Sequence, residues 1–177
     1  MRYINIFLFA LLSVFSMMAD AEVLGGYVGG GFGVPSVAYG SSGLAYKVYG
    51  GYKVHTFDIS KAGKLDLAAQ GEYVNFGNSS FMGNSWTQSG IAAAAVASWV
   101  IPRKWAGWAD EKLAVLVKAG VAKVDYSNNG GLNYTSTGLT QGVGVEYHII
   151  PAASVRAMVE YYPGSYNVLG VSGQFNF

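Results

Sequence analysis

Eight successive stretches of this chain alternate apolar and polar side chains, and that period constrains the fold more than any other feature. In 65–76, Leu65, Leu67, Ala69, Gly71 and Tyr73 interleave with Asp66, Ala68, Gln70, Glu72 and Val74. In 44–57, Tyr46, Val48, Gly50, Tyr52 and Val54 interleave with Lys47, Tyr49, Gly51, Lys53 and His55. A period of two is the side-chain period of a β-strand, whereas a helix needs 3.6. Alternation and turn punctuation place strands at 24–34, 44–57, 65–76, 87–101, 113–124, 139–150, 154–162 and 166–177. With their connections these strands use up the chain beyond its first two dozen residues, so one domain is expected.

The start of the chain reads differently. Arg2 is followed by an apolar run over 4–15, and Ala19-Asp20-Ala21 fits a small-x-small cleavage site. This is the pattern of an export signal, expected to be removed after Ala21 to leave a β-domain at 22–177. Elsewhere the longest apolar stretch is "GIAAAAVASWVI", 90–101. It is too short to cross a bilayer as a helix, which needs about 20 residues, but long enough as a tilted strand.

An exported all-β chain can be a soluble barrel of lipocalin type or a membrane barrel, and the two differ in which face holds the charges. Three features favour the membrane. Charged residues make up only 12% of the chain, against about 25% in soluble domains. Aromatics gather at expected strand ends: Tyr27, Tyr73, Trp86, Trp99, Tyr126, Tyr147, Tyr161 and Tyr162. Such rings suit the headgroup boundary. Third, an even strand number lets the last strand close on the first, which lipid demands because an open edge leaves backbone groups unpaired. The expected fold is an all-β, eight-stranded antiparallel up-and-down transmembrane β-barrel. Its last strand, "VLGVSGQFNF", would pair with the first near Tyr27, with Leu169, Val171, Phe175 and Phe177 toward lipid.

The net charge of +1 excludes an electrostatic footprint for nucleic acid, and the absence of Cys excludes disulfides and thiol chemistry. No metal or cofactor site is expected with His55 and His148 as the only imidazoles. The face opposite the apolar one carries Lys47, Lys53, Glu72, Lys118, Glu146, Arg156 and Glu160. In an eight-stranded barrel these would meet in an interior just wide enough for side chains. The expectation is a salt-bridged polar network that plugs the barrel; the alternative is a gated, narrow conductance.

The order of "KVYGGY", "LDLAAQGEYVNFG", "GVGVEY", "VRAMVEYY" and a terminal Phe resembles the small outer-membrane β-barrel proteins of the OmpA-like transmembrane-domain type. The resemblance implies residence in the outer membrane of a Gram-negative cell, with outer-membrane lipid and the barrel-assembly machinery as partners. It implies that the last strand is the assembly signal, carried here by Phe175 and Phe177. The family often has Gly five positions before the final aromatic, where this chain has Ser172. Both termini would be periplasmic, with turns near Ser60, Ala106 and Ala152. Loops near Ser41, Ser79, Asn129 and Gly164 would face outside. The function implied is a structural or surface-interaction role, with a narrow ion or small-solute pore as the alternative.

Some outer-membrane barrels are enzymes that use Ser, His and an acidic residue. Here no Ser stands two residues after His148, and Ser154 shares a strand face with Glu160; an enzyme is not expected. The connection 102–112 holds Trp105 and Trp108, three apart, after Arg103 and Lys104. This spacing suits a short interfacial helix, or alternatively a loop with girdle tryptophans. Trp86 and Trp99 are the other interfacial tryptophans expected.

Overall fold

A computed structural model describes residues 25–36, 41–59, 62–81, 84–102, 112–128, 130–164 and 166–177. The expected signal segment, Trp105 and Trp108 with most of their connection, and the turn centres at Ser60, Ala106 and Asn129 lie outside these residues.

The described chain is built from β1 (Gly26–Ser36), the two-residue β2 (Ser41–Ser42), β3 (Ala45–Asp58), β4 (Lys64–Phe81), β5 (Asn84–Val100), β6 (Leu113–Asn128), β7 (Asn133–Ile150), β8 (Ala153–Tyr162) and β9 (Tyr166–Asn176). All pairings are antiparallel. β1 pairs with both β3 and β9, and β4 pairs with both β3 and β5, so the sheet closes. β2 lies on the upper part of β4, above the start of β3, so the ring itself has eight long strands.

The register gives the barrel its geometry. Direct partners run Gly26, Tyr52, Ala69, Ala95, Ala119, Gln141, Tyr161, Asn167 and back to β1 at Ser36. One circuit therefore climbs 36 − 26 = 10 residues. For eight strands this stagger corresponds to a tilt of about 40°.

Each strand alternates between a buried inner row and an exposed outer row. The outer row is apolar: Phe32, Val48, Ile91, Val117, Val121, Val143, Val159, Leu169, Val171 and Phe175 are all exposed. Lipid is the solvent that makes such a face stable, and an apolar girdle about 25 Å tall is what a membrane barrel presents. Toward the end opposite the termini, the far end, the outer row turns polar at Ser36, Asn75, Ser89, Lys123, Thr137 and Asn167.

The strands continue beyond this limit, which corrects the expected boundaries. The segments "GNSSFMGNS" and "DYSNNGGLNYTST" are largely strand, not loop: β4–β5 pairs as far as Phe81↔Asn84 and β6–β7 as far as Ser127↔Asn133. Ser79, expected in a loop, pairs with Trp86. The reason is physical. Hydrophobic alternation marks where lipid touches a strand, whereas backbone ladders persist in water with polar side chains. The Asn128 side chain holds the β6–β7 turn by accepting from the N–H groups of Gly130 and Leu132, both at 2.9 Å.

The strand glycines leave room for inward rings. Tyr27 is the direct partner of Gly51, and Tyr49 of Gly29. A Cβ at Gly51 would overlap the Tyr27 ring, and one at Gly29 the Tyr49 ring. Replacing Gly51 by Val should therefore cost about 1–3 kcal/mol by overpacking. The check is urea unfolding of the micelle-folded barrel. Unchanged stability would mean that the ring has another place to go.

The chain end is bonded on both edges. Phe177 N–H donates to Gly26 O at 2.9 Å, Gly26 N–H donates to Phe177 O at 3.0 Å, and Asn176 N–H donates to Ala152 O at 2.8 Å. The contact with strand one expected near Tyr27 is present as Tyr27↔Asn176.

Candidate functional site: the ionic network inside the barrel

The inner rows bring six of the seven charged residues singled out from the sequence into one connected set. Lys118, on β6, donates to Glu72 Oε1 of β4 at 2.6 Å and to Glu160 Oε1 of β8 at 2.7 Å. Glu160 also pairs with Lys47 of β3 through its second oxygen. Tyr162 O–H donates to Glu72 Oε1 at 2.7 Å, and Gln70 Nε2 donates to Glu72 Oε2 at 3.0 Å. Gln70 Oε1 accepts from Tyr27 O–H at 3.1 Å and from Arg156 at 3.4 Å. Arg156 Nε in turn donates to Glu146 Oε2 at 2.9 Å, and Ser154 Oγ donates to Glu146 Oε1 at 2.6 Å. The guanidinium of Arg156 flanks the edge-on Tyr27–Tyr49 ring pair, 5.1 and 5.5 Å from their centroids.

Three cations, Lys47, Lys118 and Arg156, thus meet three carboxylates, Glu72, Glu146 and Glu160. The set is neutral. Lys118 and Glu72 have no exposed side-chain surface at all. Removing such ions from water costs several kcal/mol each, repaid only by close pairing with the remaining lone pairs satisfied, and most of these are. Lys53 stands apart from the set. It pairs with Asp66 at 3.0 Å near the end carrying the termini, with 40% of its side chain exposed.

Above this network, toward the far end, the interior turns apolar. Val74, Phe76, Val124, Tyr126, Tyr162, Tyr166 and Val168 form one buried cluster. Phe76 stacks on Tyr166 at 4.8 Å and meets Tyr162 edge-on at 5.2 Å. Tyr162 belongs to both layers, with its ring in the cluster and its hydroxyl on Glu72. Below the network, a cavity of about 230 Å³ opens at the terminal end between Gly26, Lys53, His148, Asn176 and Phe177.

Several aromatics expected at the lipid boundary face inward instead. Tyr27, Tyr126 and Tyr162 are buried, because each hydroxyl has an interior acceptor: Gln70, the Pro163 carbonyl and Glu72. Trp86 is on the inward parity and packs against the interior cluster. Trp99 is half-buried on the outer row, its indole N–H donating to Ala62 O at 2.7 Å, and Tyr73, Tyr147 and Tyr161 are exposed on the lipid side. Tyr49, Gln70, Ser172 and Gln174, on the expected inward face, are buried there, and Tyr27 and Ser154 join them as inward polar residues that reading by charge missed. Strict parity counting finds these two as well: Ser154 lies two residues before Arg156, and Tyr27 two before Gly29 on the inward row of β1.

The imidazoles are far apart in role. His55 packs edge-on against Phe57 at a strand irregularity. His148 faces Ser154 across the β7–β8 ladder, with Glu146 3.8 Å from His148 Nε2. Ser154 gives its proton to the carboxylate, not to the imidazole. In a nucleophilic triad the base stands between Ser and acid, so this order is that of a satisfied wall hydroxyl.

Comparison with known proteins agrees with this architecture. The N-terminal β-barrel domain of Pseudomonas aeruginosa OprF aligns with a TM-score of 0.61 at 16% identity, covering 86% of this chain and 99% of that one. Neisserial surface protein A aligns with a TM-score of 0.57 at 17% identity, covering 86% and 96%. No curated protein matches the sequence. At these identities the structures establish the fold alone. The sequence itself matches a family model, the outer membrane protein beta-barrel domain, over residues 7–176. With an apolar girdle outside, charges paired inside and a sheet closed on its own last strand, the chain belongs to the outer-membrane β-barrel family.

Proposed function

We propose that this protein is a structural or surface-interacting barrel of the outer membrane whose interior is plugged, and not an enzyme. The observation that carries this reading is the neutral ionic set, in which three cations are consumed by three carboxylates. A buried aromatic cluster lies over it. An ion crossing the barrel would have to break buried pairs and then pass an apolar layer. In this reading the chain is cleaved after Ala21 and both termini face the periplasm. The β4–β5 and β6–β7 hairpins stand on the cell surface. Phe175 and Phe177 serve as the signal read by the barrel-assembly machinery, and Trp99, Tyr73, Tyr147 and Tyr161 anchor the barrel at the lipid boundaries.

Planar-bilayer recording of the refolded protein tests the plug: no discrete conductance steps are expected. A narrow pore is the second reading, favoured by the cavity that opens at the terminal end and by a smaller one of about 20 Å³ beside the Arg156–Glu146 pair. Regular single-channel steps from wild-type protein would establish that reading and remove the plug.

A further inference from the structure

At the far end the interior cluster finishes on two tyrosines in a geometry of their own. Tyr126 of β6 and Tyr134 of β7 are direct partners across the ladder. Their rings are parallel to within 4°, with centroids 4.1 Å apart. The neighbouring aromatic contacts are tilted or crossed: Tyr126 meets Tyr166 at 35°, and Trp86 meets Tyr134 at 72°. Deeper in the barrel, Tyr27 and Tyr49 meet at 65°. Phe76 lies nearer to parallel with Tyr166, at 29°, but has no hydroxyl to lose.

The two partners are held unequally. Tyr126 is buried, and its O–H donates to Pro163 O at 3.1 Å. Gly164, at a left-handed φ of 89°, leaves the space that this hydroxyl fills, since a Cβ there would overlap it. The Tyr126 ring is therefore fixed in place. Tyr134 lies over it with 54% of its surface exposed. The stack thus has one ring in the protein and one in water, above the limit at which the outer row turns polar.

This arrangement suits one reaction of phenols. A phenoxyl radical carries its unpaired electron in p orbitals perpendicular to the ring, much of it on the carbons ortho to oxygen. Parallel rings aim those orbitals at one another and crossed rings do not. Contact with aligned orbitals is the geometry from which bonds form readily. The chain has no Cys, so no thiol of its own intercepts the radical.

We propose that Tyr126 and Tyr134 are a site of oxidative modification, joined to each other as dityrosine when hydrogen peroxide and a haem peroxidase reach the exposed ring. Tyr134 loses an electron and its hydroxyl proton first, because Tyr126 is out of a peroxidase's reach. Tyr126 then passes an electron and its hydroxyl proton across the stack, and Tyr134 is oxidised a second time. The two phenoxyl radicals form one bond between ortho carbons. The hydrogens on those carbons move to the two oxygens and restore both hydroxyls. In all, two electrons and two protons leave, and they reduce one hydrogen peroxide to two waters. The product is a β6–β7 hairpin stapled across its strands, with 127–133 as a closed loop.

The test treats the micelle-folded full barrel with horseradish peroxidase and limiting hydrogen peroxide. Wild-type protein should gain dityrosine fluorescence in proportion to its amount, with no covalent dimer. The tryptic peptide 124–156 carries both tyrosines. It should lose two hydrogens and give no backbone fragments between Tyr126 and Tyr134. Tyr126→Phe and Tyr134→Phe keep a ring in the stack, and each should lower the yield by roughly tenfold or more, since the proximity that drives coupling needs both phenols. Tyr161→Phe, exposed on the outer row, should leave the yield unchanged. Unfolding in urea before oxidation should also remove the intramolecular product. Full yield from Tyr126→Phe, a product that is mainly intermolecular, or no dityrosine under conditions that couple free tyrosine would each overturn the proposal. The compartment that supplies the peroxide rests on the orientation proposed above, but the measurement in micelles does not depend on it.

Discussion

Replacing Lys118 by Met should destabilise the barrel by about 3–5 kcal/mol, the range found when one partner of a buried ion pair is removed. Lys118 is the centre of the interior network, bonded to Glu72 and Glu160 and fully buried. Without it Glu160 keeps Lys47, but Glu72 keeps only the Tyr162 hydroxyl and the Gln70 amide. A carboxylate left in that position has no cation and no access to water. The double variant Lys118→Met, Glu72→Gln removes both charges, so it should recover much of the loss. Urea unfolding of the micelle-folded protein, followed by the heat-dependent gel shift, measures both. If the single variant unfolds with the wild type, the ion pairs contribute nothing to holding the barrel together. If the double variant is worse than the single, packing and not charge dominates the site.

The second large effect is expected at the chain end. Phe177 exchanges backbone hydrogen bonds with Gly26 at the last rung against β1, its neighbour Asn176 donates to Ala152 in the β7–β8 turn, and its ring lies over Gly26. Phe177→Ala, or a polar tail after Phe177, should leave export intact and sharply lower the amount of folded barrel in the membrane. Two causes act together. Closure of β9 on β1 loses an apolar anchor at the lipid boundary, and by the proposed reading the assembly machinery loses its signal. Refolding into detergent separates them. If Phe177→Ala refolds normally in vitro but fails to assemble in cells, the signal is the cause. Normal levels of assembled barrel in cells would remove both.

Most of the transmembrane architecture was legible in the sequence because lipid imposes a strict rule. Leu65 to Tyr73 alternates because its outer row touches hydrocarbon, and Leu113 to Val121 keeps an apolar outer row for the same reason, with Lys118 as its inward charge. The same rule explains the misreading above the membrane. From Lys123 to Ser127 on β6 the outer row turns polar while Val124 and Tyr126 stay buried inside, and from Asn133 to Thr137 on β7 both rows are polar or exposed, so the apolar-outward pattern ends while the ladder continues. The aromatics were misread for a related reason. A Tyr near a strand end can serve the headgroups or the interior, and only its parity relative to neighbours separates Tyr147, outside, from Tyr162, inside.

By itself the sequence determined that the chain is a run of alternating strands with few charges, that Lys47, Lys53, Glu72, Lys118, Glu146, Arg156 and Glu160 share one face, and that the last strand carries Leu169, Val171 and Phe175 on the other. Those are properties of residue type and spacing, which a linear chain carries in full. The tertiary structure decided the register of ten residues around the ring, and with it which charges meet. Lys118 bridges Glu72 and Glu160 from strands 46 and 42 residues away. Lys53, although on the same face, finds only Asp66. It also decided how far the ladders run: β6–β7 pairs as far as Ser127↔Asn133, whereas β7–β8 pairs as far as Gln141↔Tyr161. Pairing across a barrel depends on strand stagger, and stagger is set by the closed ring as a whole.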